Sequence, residues 1–286
     1  MNGLNFSDAT DIRLGSSTIT ALYYGNQLIW PAQQHDYSQD YLTFEAIDNC
    51  TFTWNDPKGN IHMYYSSDNG STWTEMQSGV ATPTINAGQK IILKSNTNQS
   101  FYTDEAVFSS VGRFNVMGNI MSLQDGDNFT NSTATAATWM FGTLFLECTT
   151  LVNANNLIIP DVTFQGADFY LMFYGCTSLL TAPVLAATTL AGSCYEHMFD
   201  GCTSLTIAPE LPATTLANYC YRYMFQNCTS LSAITCLATD ISATDCTDNW
   251  LSNVAASGTF TKNASMSSWT TGASGVPSGW TIVNAQ

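Results

Sequence analysis

Residues 198–205 read MFDGCTSL and residues 224–231 read MFQNCTSL, so Met, Phe, Cys, Thr, Ser and Leu recur 26 positions apart. The same register lands earlier on Met172, Phe173, Cys176, Thr177, Ser178 and Leu179, and more loosely on Leu144, Phe145, Cys148, Thr149 and Leu151. A catalytic centre assembles unlike groups once. Like groups at a fixed period belong instead to units that bury their apolar faces against neighbouring copies of themselves.

Within each copy Leu190, Cys194, Met198 and Cys202 are spaced by four, and Leu216, Cys220, Met224 and Cys228 repeat them. That spacing predicts one apolar face of a short helix. Leu205 or Leu231 follows, and then a segment centred on Leu157, Leu185, Leu211 or Leu237 that fits one strand per repeat. Pro183 and Pro209 stand just before two of these strands, where irregular backbone tolerates a missing N–H. A helix-plus-strand unit of this length lies in the range of leucine-rich repeats. The expected array spans residues 126–250 as an α/β leucine-rich-repeat solenoid, with 251–286 as a short C-terminal capping segment.

The residues ahead of the array read as β structure. Residues 1–30 hold two short strand-like runs and the Gly25-Asn26 turn, which predicts an N-terminal β hairpin, and 31–41 (PAQQHDYSQDY) reads as a linker. The hairpin's apolar side chains, including Leu22, Tyr24, Leu28, Ile29 and Trp30, are too few to form a core alone, so they are expected to need a partner surface. Between 42 and 125 the runs YLTFEA, CTFTW, IHMYYS, KIILKS and RFNVMGNIMS alternate and are separated by turn residues, which predicts a small all-β sandwich. SSDNGSTW (Ser66–Trp73) has the S-x-D-x-G-x-T-W form of an Asp-box, here present once and read as a hairpin turn over Trp73.

Composition excludes several functions. The chain carries 22 acidic against 7 basic residues, a formal net charge of −15, which argues against nucleic acid and anionic membranes as partners. No window has the length of a membrane span, and the opening MNGLNFSDATDIRLGSS lacks a basic stretch followed by an apolar one, so synthesis in the cytoplasm without export is expected. Of nine cysteines, Cys176, Cys194, Cys202, Cys220, Cys228 and Cys236 lie in repeat register, and their spacings lack the C-x-x-C knuckles of zinc sites; buried reduced thiols are the expectation. No nucleophile elbow, phosphate loop, dinucleotide fingerprint or H-E-x-x-H helix is present, and the three histidines, His35, His62 and His197, fall in unrelated segments. Neither an enzyme nor a cofactor is expected. The QDGDNF loop, with Asp125 and Asp127, offers oxygen ligands for Ca²⁺ but lacks the distal Glu of an EF-hand, and reads as a turn.

The stretch MFDGCTSLTIAPELPATTLANYCYRYMFQNCTSL resembles the BspA-like, or treponemal-type, leucine-rich repeat, over roughly residues 140–240. The resemblance implies that Cys148, Cys176, Cys202 and Cys228 form a buried ladder, with Leu151, Leu179, Leu205 and Leu231 in the core. ITALYYGNQLIWP resembles the N-terminal segment of virion and tail-associated proteins of phages that infect gut Bacteroidetes, and the closing GTFTKNASMSSWTTGASGVPSGWTIV resembles segments that follow such repeats. What this implies is a virion fibre or decoration protein, made in the host cytoplasm. It would be anchored to capsid or tail proteins by Leu22, Tyr24, Leu28, Ile29 and Trp30, assembled as a dimer or trimer, and would present its repeats to a host-surface glycan or protein. An exported bacterial surface adhesin with the same repeats is the alternative. Aromatic residues are the expected binding groups, with Tyr195, Tyr221 and Tyr223 the chosen ones and Phe169 and Tyr170 nearby.

Overall fold

The computed structural model describes residues 12–14, 17–19, 21–24, 27–31 and 35–286, which fall into two compact units, Met1–Asp36 and Tyr37–Gln286. In the first unit β1 (Ile12–Leu14) pairs antiparallel with β2 (Ser17–Ile19), and β3 (Ala21–Tyr24) with β4 (Gln27–Pro31). Two ladders therefore stand where one hairpin is expected. Tyr24 pairs with Gln27, the register that a two-residue connection sets. The side chains of Leu22, Tyr24, Leu28, Ile29 and Trp30 lie outside what is described.

The second unit opens with β5 (Leu42–Ala46), β6 (Thr51–Trp54), β7 (Met63–Ser66), β8 (Thr74–Glu75), β9 (Lys90–Ser95), β10 (Phe108–Val111) and β11 (Phe114–Asn119). A single turn of helix, α1 (Ser122–Asp125), precedes β12 (Leu151–Ile159) and β13 (Val184–Leu185). β6 and β10 form one antiparallel pair, and the remaining strands form a seven-stranded sheet in the order β13-β12-β11-β5-β9-β7-β8. Alternation puts Phe44, Phe52, Phe108 and Phe114 into a shared core, where Phe44 lies 5.1 to 5.2 Å from the other three rings. The larger sheet does not end there, because β11 pairs in parallel with β12, Gly118 opposite Leu157. No sheet boundary thus separates residues 42–125 from those that follow.

The α/β leucine-rich-repeat solenoid is not what the repeats form. Among the described residues the one α-helix is α1, and the segments spaced by four are runs of overlapping turns. Their backbone shows why. Every fourth residue has a left-handed φ, at Trp139, Thr143 and Glu147, then Ala167, Leu171 and Gly175, then Ser193, His197 and Gly201, then Tyr219, Tyr223 and Asn227, then Asp245, Asn249 and Asn253. An α-helix admits no such residue in its interior. Amide directions alternate as well. Met198, Asp200 and Cys202 donate to the carbonyls three residues back, whereas Tyr195, His197 and Phe199 donate to Cys220, Arg222 and Met224 of the next copy, at 3.1, 3.0 and 2.9 Å. Half the amides close turns and half tie one copy to the next, which accounts for the backbone polar groups without helix.

The same geometry leaves every fourth residue partly exposed. Cys194 and Tyr195, Met198 and Phe199, and Cys202 are buried in the apolar interior, Glu196 and Asp200 are buried as polar groups, and His197 and Gly201 are partly exposed. Strands are sparser than one per repeat: β12 and β13 are followed by isolated bridges at Ile207 and Leu211, and then by β14 (Ala233–Cys236). β15 (Gly258–Lys262) and β16 (Trp280–Asn284) continue in parallel from β14.

Two columns of rings fill the interior. Phe145, Phe173, Phe199 and Phe225 stack at 5.4 to 5.5 Å with interplanar angles of 8° or less, and Phe44 and Phe108 abut Phe145 at its end. The second column runs Phe141, Phe169, Tyr195, Tyr221, Trp250 and Trp269.

Beside the columns lies the cysteine ladder. The thiols of Cys176, Cys202 and Cys228 donate to the carbonyls of Phe145, Phe173 and Phe199 in the preceding copy at 3.0 to 3.1 Å, and Cys148 stands at the end of the ladder near Thr150. All nine cysteines are free and buried. Burial pushes their thiols up, those of Cys220 and Cys236 to about 12, so the reactive thiolate is scarce at neutral pH. Native protein at pH 7 is expected to leave nearly all of its thiols unmodified by a thiol reagent, and to expose them on unfolding. Rapid native reaction at Cys176, Cys202 or Cys228 would show that the ladder is open to solvent.

Candidate functional site

The two inward tyrosines leave the candidate site. Tyr195 is 1% and Tyr221 0% exposed, both rings lie within the second column, and neither hydroxyl has a hydrogen-bond partner among the described residues. A ring covered on both faces cannot stack on a ligand. Tyr223 stands on the outer side, and it belongs to a longer aromatic row.

The row follows the outward positions of successive turns. Tyr102, Trp139 and Tyr170 form a triangle with centroid distances of 4.3, 5.2 and 5.8 Å. Tyr170 meets His197 edge-on at 6.0 Å, and His197 stacks on Tyr223 at 4.6 Å. Trp139, His197 and Tyr223 each occupy a left-handed position, uncommon for bulky side chains and held here by the ladder of amides along the stack. Trp139 is 37% exposed and the most open ring of the row; the others are half-buried.

Tyr102 comes from outside the repeats. The segment around it is fixed by the Phe101 amide on the Met140 carbonyl at 2.9 Å and by the Ser100 hydroxyl on the Trp139 carbonyl at 2.6 Å. The position that carries Tyr170, Glu196 and Arg222 in later turns is Gly142 in the first. A Cβ there would lie 3.2 Å from the Tyr102 ring, so the bare glycine makes room for a tyrosine from the preceding sheet to join the row.

Charged groups flank the row, tied to one another. Arg222 donates from Nε to Glu196 at 2.8 Å and also from Nη2, and its guanidinium lies 4.8 Å from the Tyr219 ring and 5.4 Å from that of Tyr223. Burial opposes the Arg222 charge, but the bonds to Glu196 outweigh it and the pKa is raised. Asp200 accepts from Asn227 at 3.0 Å on one oxygen and meets His197 Nδ1 at 2.9 Å on the other. Burial, aided by the Glu196 charge, raises the pKa of Tyr170, and burial raises that of Tyr102, so both remain neutral phenols at physiological pH.

Other sequence candidates sit apart. The Asp-box turn forms: Asp68 accepts from the Ser66 hydroxyl and from the Thr72 amide and hydroxyl, bonds that draw its carboxyl down to about 2, Thr72 contributing most. Trp73 is half-buried rather than covered, with the Lys94 ammonium 4.0 Å above it. Asp127 is engaged by Lys94 at 2.6 Å and Tyr41 at 2.8 Å, and Asp125 by Gln124 and Ser132. No group of three metal-binding side chains occurs among the described residues, and no helix among them is long and apolar enough to cross a membrane. A second exposed apolar patch, Leu180, Val184 and Ile207 on the strand side, is purely aliphatic.

The sequence pointed to aromatics but chose by repeat register, which favours the inward column. Trp139 and Tyr102 fall outside the MF-x-x-CTSL register; the available signal was Gly142, a glycine where later copies carry long side chains. No protein-family model, no curated protein and no solved structure matches the chain.

Proposed function

We propose that this chain is a non-catalytic adhesion protein whose aromatic row contacts a bacterial surface, and that it serves as a virion appendage held by its N-terminal unit. The observation that carries the adhesion reading is the row itself: five ring side chains from Tyr102 to Tyr223 placed side by side on the outer face of a stack whose two ring columns are inside. A rigid backbone ladder holds them, so little ordering cost accompanies binding, and several copies on one particle multiply a weak contact. The two carboxylates beside the row, Glu196 and Asp200, are buried and bonded to neighbours, which suits positioning rather than proton transfer. The virion assignment draws on the resemblance of the terminal segments and on the separate unit Met1–Asp36.

The test is binding of purified chain to intact cells of a Bacteroidetes panel. Replacing Trp139, Tyr170 and Tyr223 together by alanine is expected to weaken binding by about tenfold or more, since large aromatics dominate such contacts, while circular dichroism and the melting curve stay close to the parent's. Unchanged binding by the triple variant would move adhesion off the row.

A further inference from the structure

We propose that the ligand of the aromatic row is an uncharged polysaccharide and that acidic glycans are excluded from it. This rests on the adhesion reading above and narrows its ligand.

The row has little free charge to offer. Among the described residues two cations border it: Arg222 is spent, with two of its nitrogens on Glu196 and its guanidinium over Tyr219 and Tyr223, and the exposed Lys58 ammonium donates to the Tyr102 carbonyl at 3.2 Å. Asp200 has both oxygens occupied, by His197 and Asn227. A polyanion would find one exposed ammonium, that of Lys58 at the Tyr102 end, and no cluster of cations beside the row among the described residues, and would approach a chain with 22 acidic and 7 basic residues. Such a field repels it at low salt. An acidic partner recognised by charge needs the opposite arrangement, with clustered arginine or lysine left open.

What the row does offer is ring surface with neutral polar edges. Trp139 presents the most open face, at a left-handed φ of 63° that is costly for a bulky residue, so the turn holds the indole outward against its own preference. Neutral phenols of Tyr102 and Tyr170 flank it, and the ring centroids from Trp139 through Tyr170 and His197 to Tyr223 lie 4.6 to 6.0 Å apart. A chain of sugar rings matches an extended run of aromatic rings: the C–H faces of its sugars lie on aromatic faces, and its hydroxyls meet phenol and amide edges. A globular protein partner instead wants a compact patch with an apolar core and a polar rim.

The experiment uses the full chain in affinity electrophoresis and calorimetry against neutral polymers (soluble glucan, mannan, galactan) and acidic ones (polygalacturonate, alginate, hyaluronate). Measurements are made at about 50 and about 500 mM NaCl, where screening differs severalfold. The expected result is retention by at least one neutral polymer, with affinity changing less than about twofold between the two salts, and weakening by about fivefold or more in Trp139→Ala. Capture by acidic polymers alone, falling steeply with salt, would overturn this inference and leave the adhesion reading standing. Cell binding that persists with no affinity for either polymer class, and that protease treatment of the cells abolishes, would overturn it in favour of a protein receptor. Failure to bind cells at all would overturn both.

Discussion

Replacing Phe199 by alanine is expected to destabilise the Tyr37–Gln286 unit by about 3–5 kcal/mol, the range for a buried ring. Phe199 is fully buried and lies between Phe173 and Phe225, 5.4 and 5.5 Å away, with planes within 4° of parallel. The cost depends on whether the space left behind can close. Here the backbone on either side is pinned: the Phe199 amide bonds the Met224 carbonyl at 2.9 Å, and the Phe199 carbonyl takes the Cys228 thiol at 3.0 Å. Neighbouring turns cannot approach without breaking those bonds, so the void persists and two stacked faces lose their partner. Denaturant unfolding of Phe199→Ala beside Phe199→Leu separates the two contributions, because leucine refills most of the volume without the ring. Loss in the alanine variant below about 1 kcal/mol would show that the column is not a close-packed core. Hydrogen exchange is expected to place the lost protection at amides 195–201 and their partners in the following copy, as in a stack where each unit contacts only its neighbours.

The column was legible in the sequence as a repeat, but its backbone was not. The recurrence of Met198-Phe199 at Met224-Phe225 and Met172-Phe173 identifies like positions that share one environment, and the buried cysteines follow from the same register. What recurrence leaves open is conformation. Apolar residues at 194, 195, 198, 199 and 202 satisfy both a helical face and a run of four-residue turns, and side-chain chemistry does not separate the two. The deciding residues are those at 193, 197 and 201, which must take a left-handed φ. Gly175, Gly201, Asn227 and the last copy's Asp245, Asn249 and Asn253 advertise that preference, whereas Leu171, His197 and Tyr223 are forced into it by hydrogen bonds to the next copy. Non-local bonding overrode local propensity. The site was lost for a different reason: Tyr195 and Tyr221 recur in register, and recurrence marks the interior of the stack, whereas Tyr223 stands where the preceding copies carry Leu171 and His197.

A buried carboxyl gives the stack a pH dependence of unusual sign. Asp168 is fully buried in the second copy, its Oδ2 accepts from the Gly166 amide at 3.0 Å, and its Oδ1 has no donor among the described residues. Burial, which the Gly166 bond offsets only in part, pushes its pKa up from 3.8 to about 6. The folded state therefore holds a proton that the unfolded chain releases first as pH rises. Below about pH 4 both states are protonated and Asp168 costs nothing, between pH 4 and 6 stability falls, and above about 6 a penalty of roughly 3 kcal/mol is fully present. Asp48, Asp68, Asp127 and Asp240, whose values are lowered, act in the opposite sense and lose their contribution on acidification. The parent curve mixes the two, so the measurement is the difference between Asp168→Asn and parent from pH 4 to pH 7, read by urea unfolding. The asparagine keeps an acceptor for Gly166 and cannot ionise, although its buried amide leaves donors unpaired at some cost at every pH. The difference curve is accordingly expected to rise in favour of the variant by about 2–3 kcal/mol across that window and to level off above it. A flat difference would mean that Asp168 ionises in the folded stack as readily as in the unfolded chain, and that its surroundings are wetter than the packing of the second copy implies.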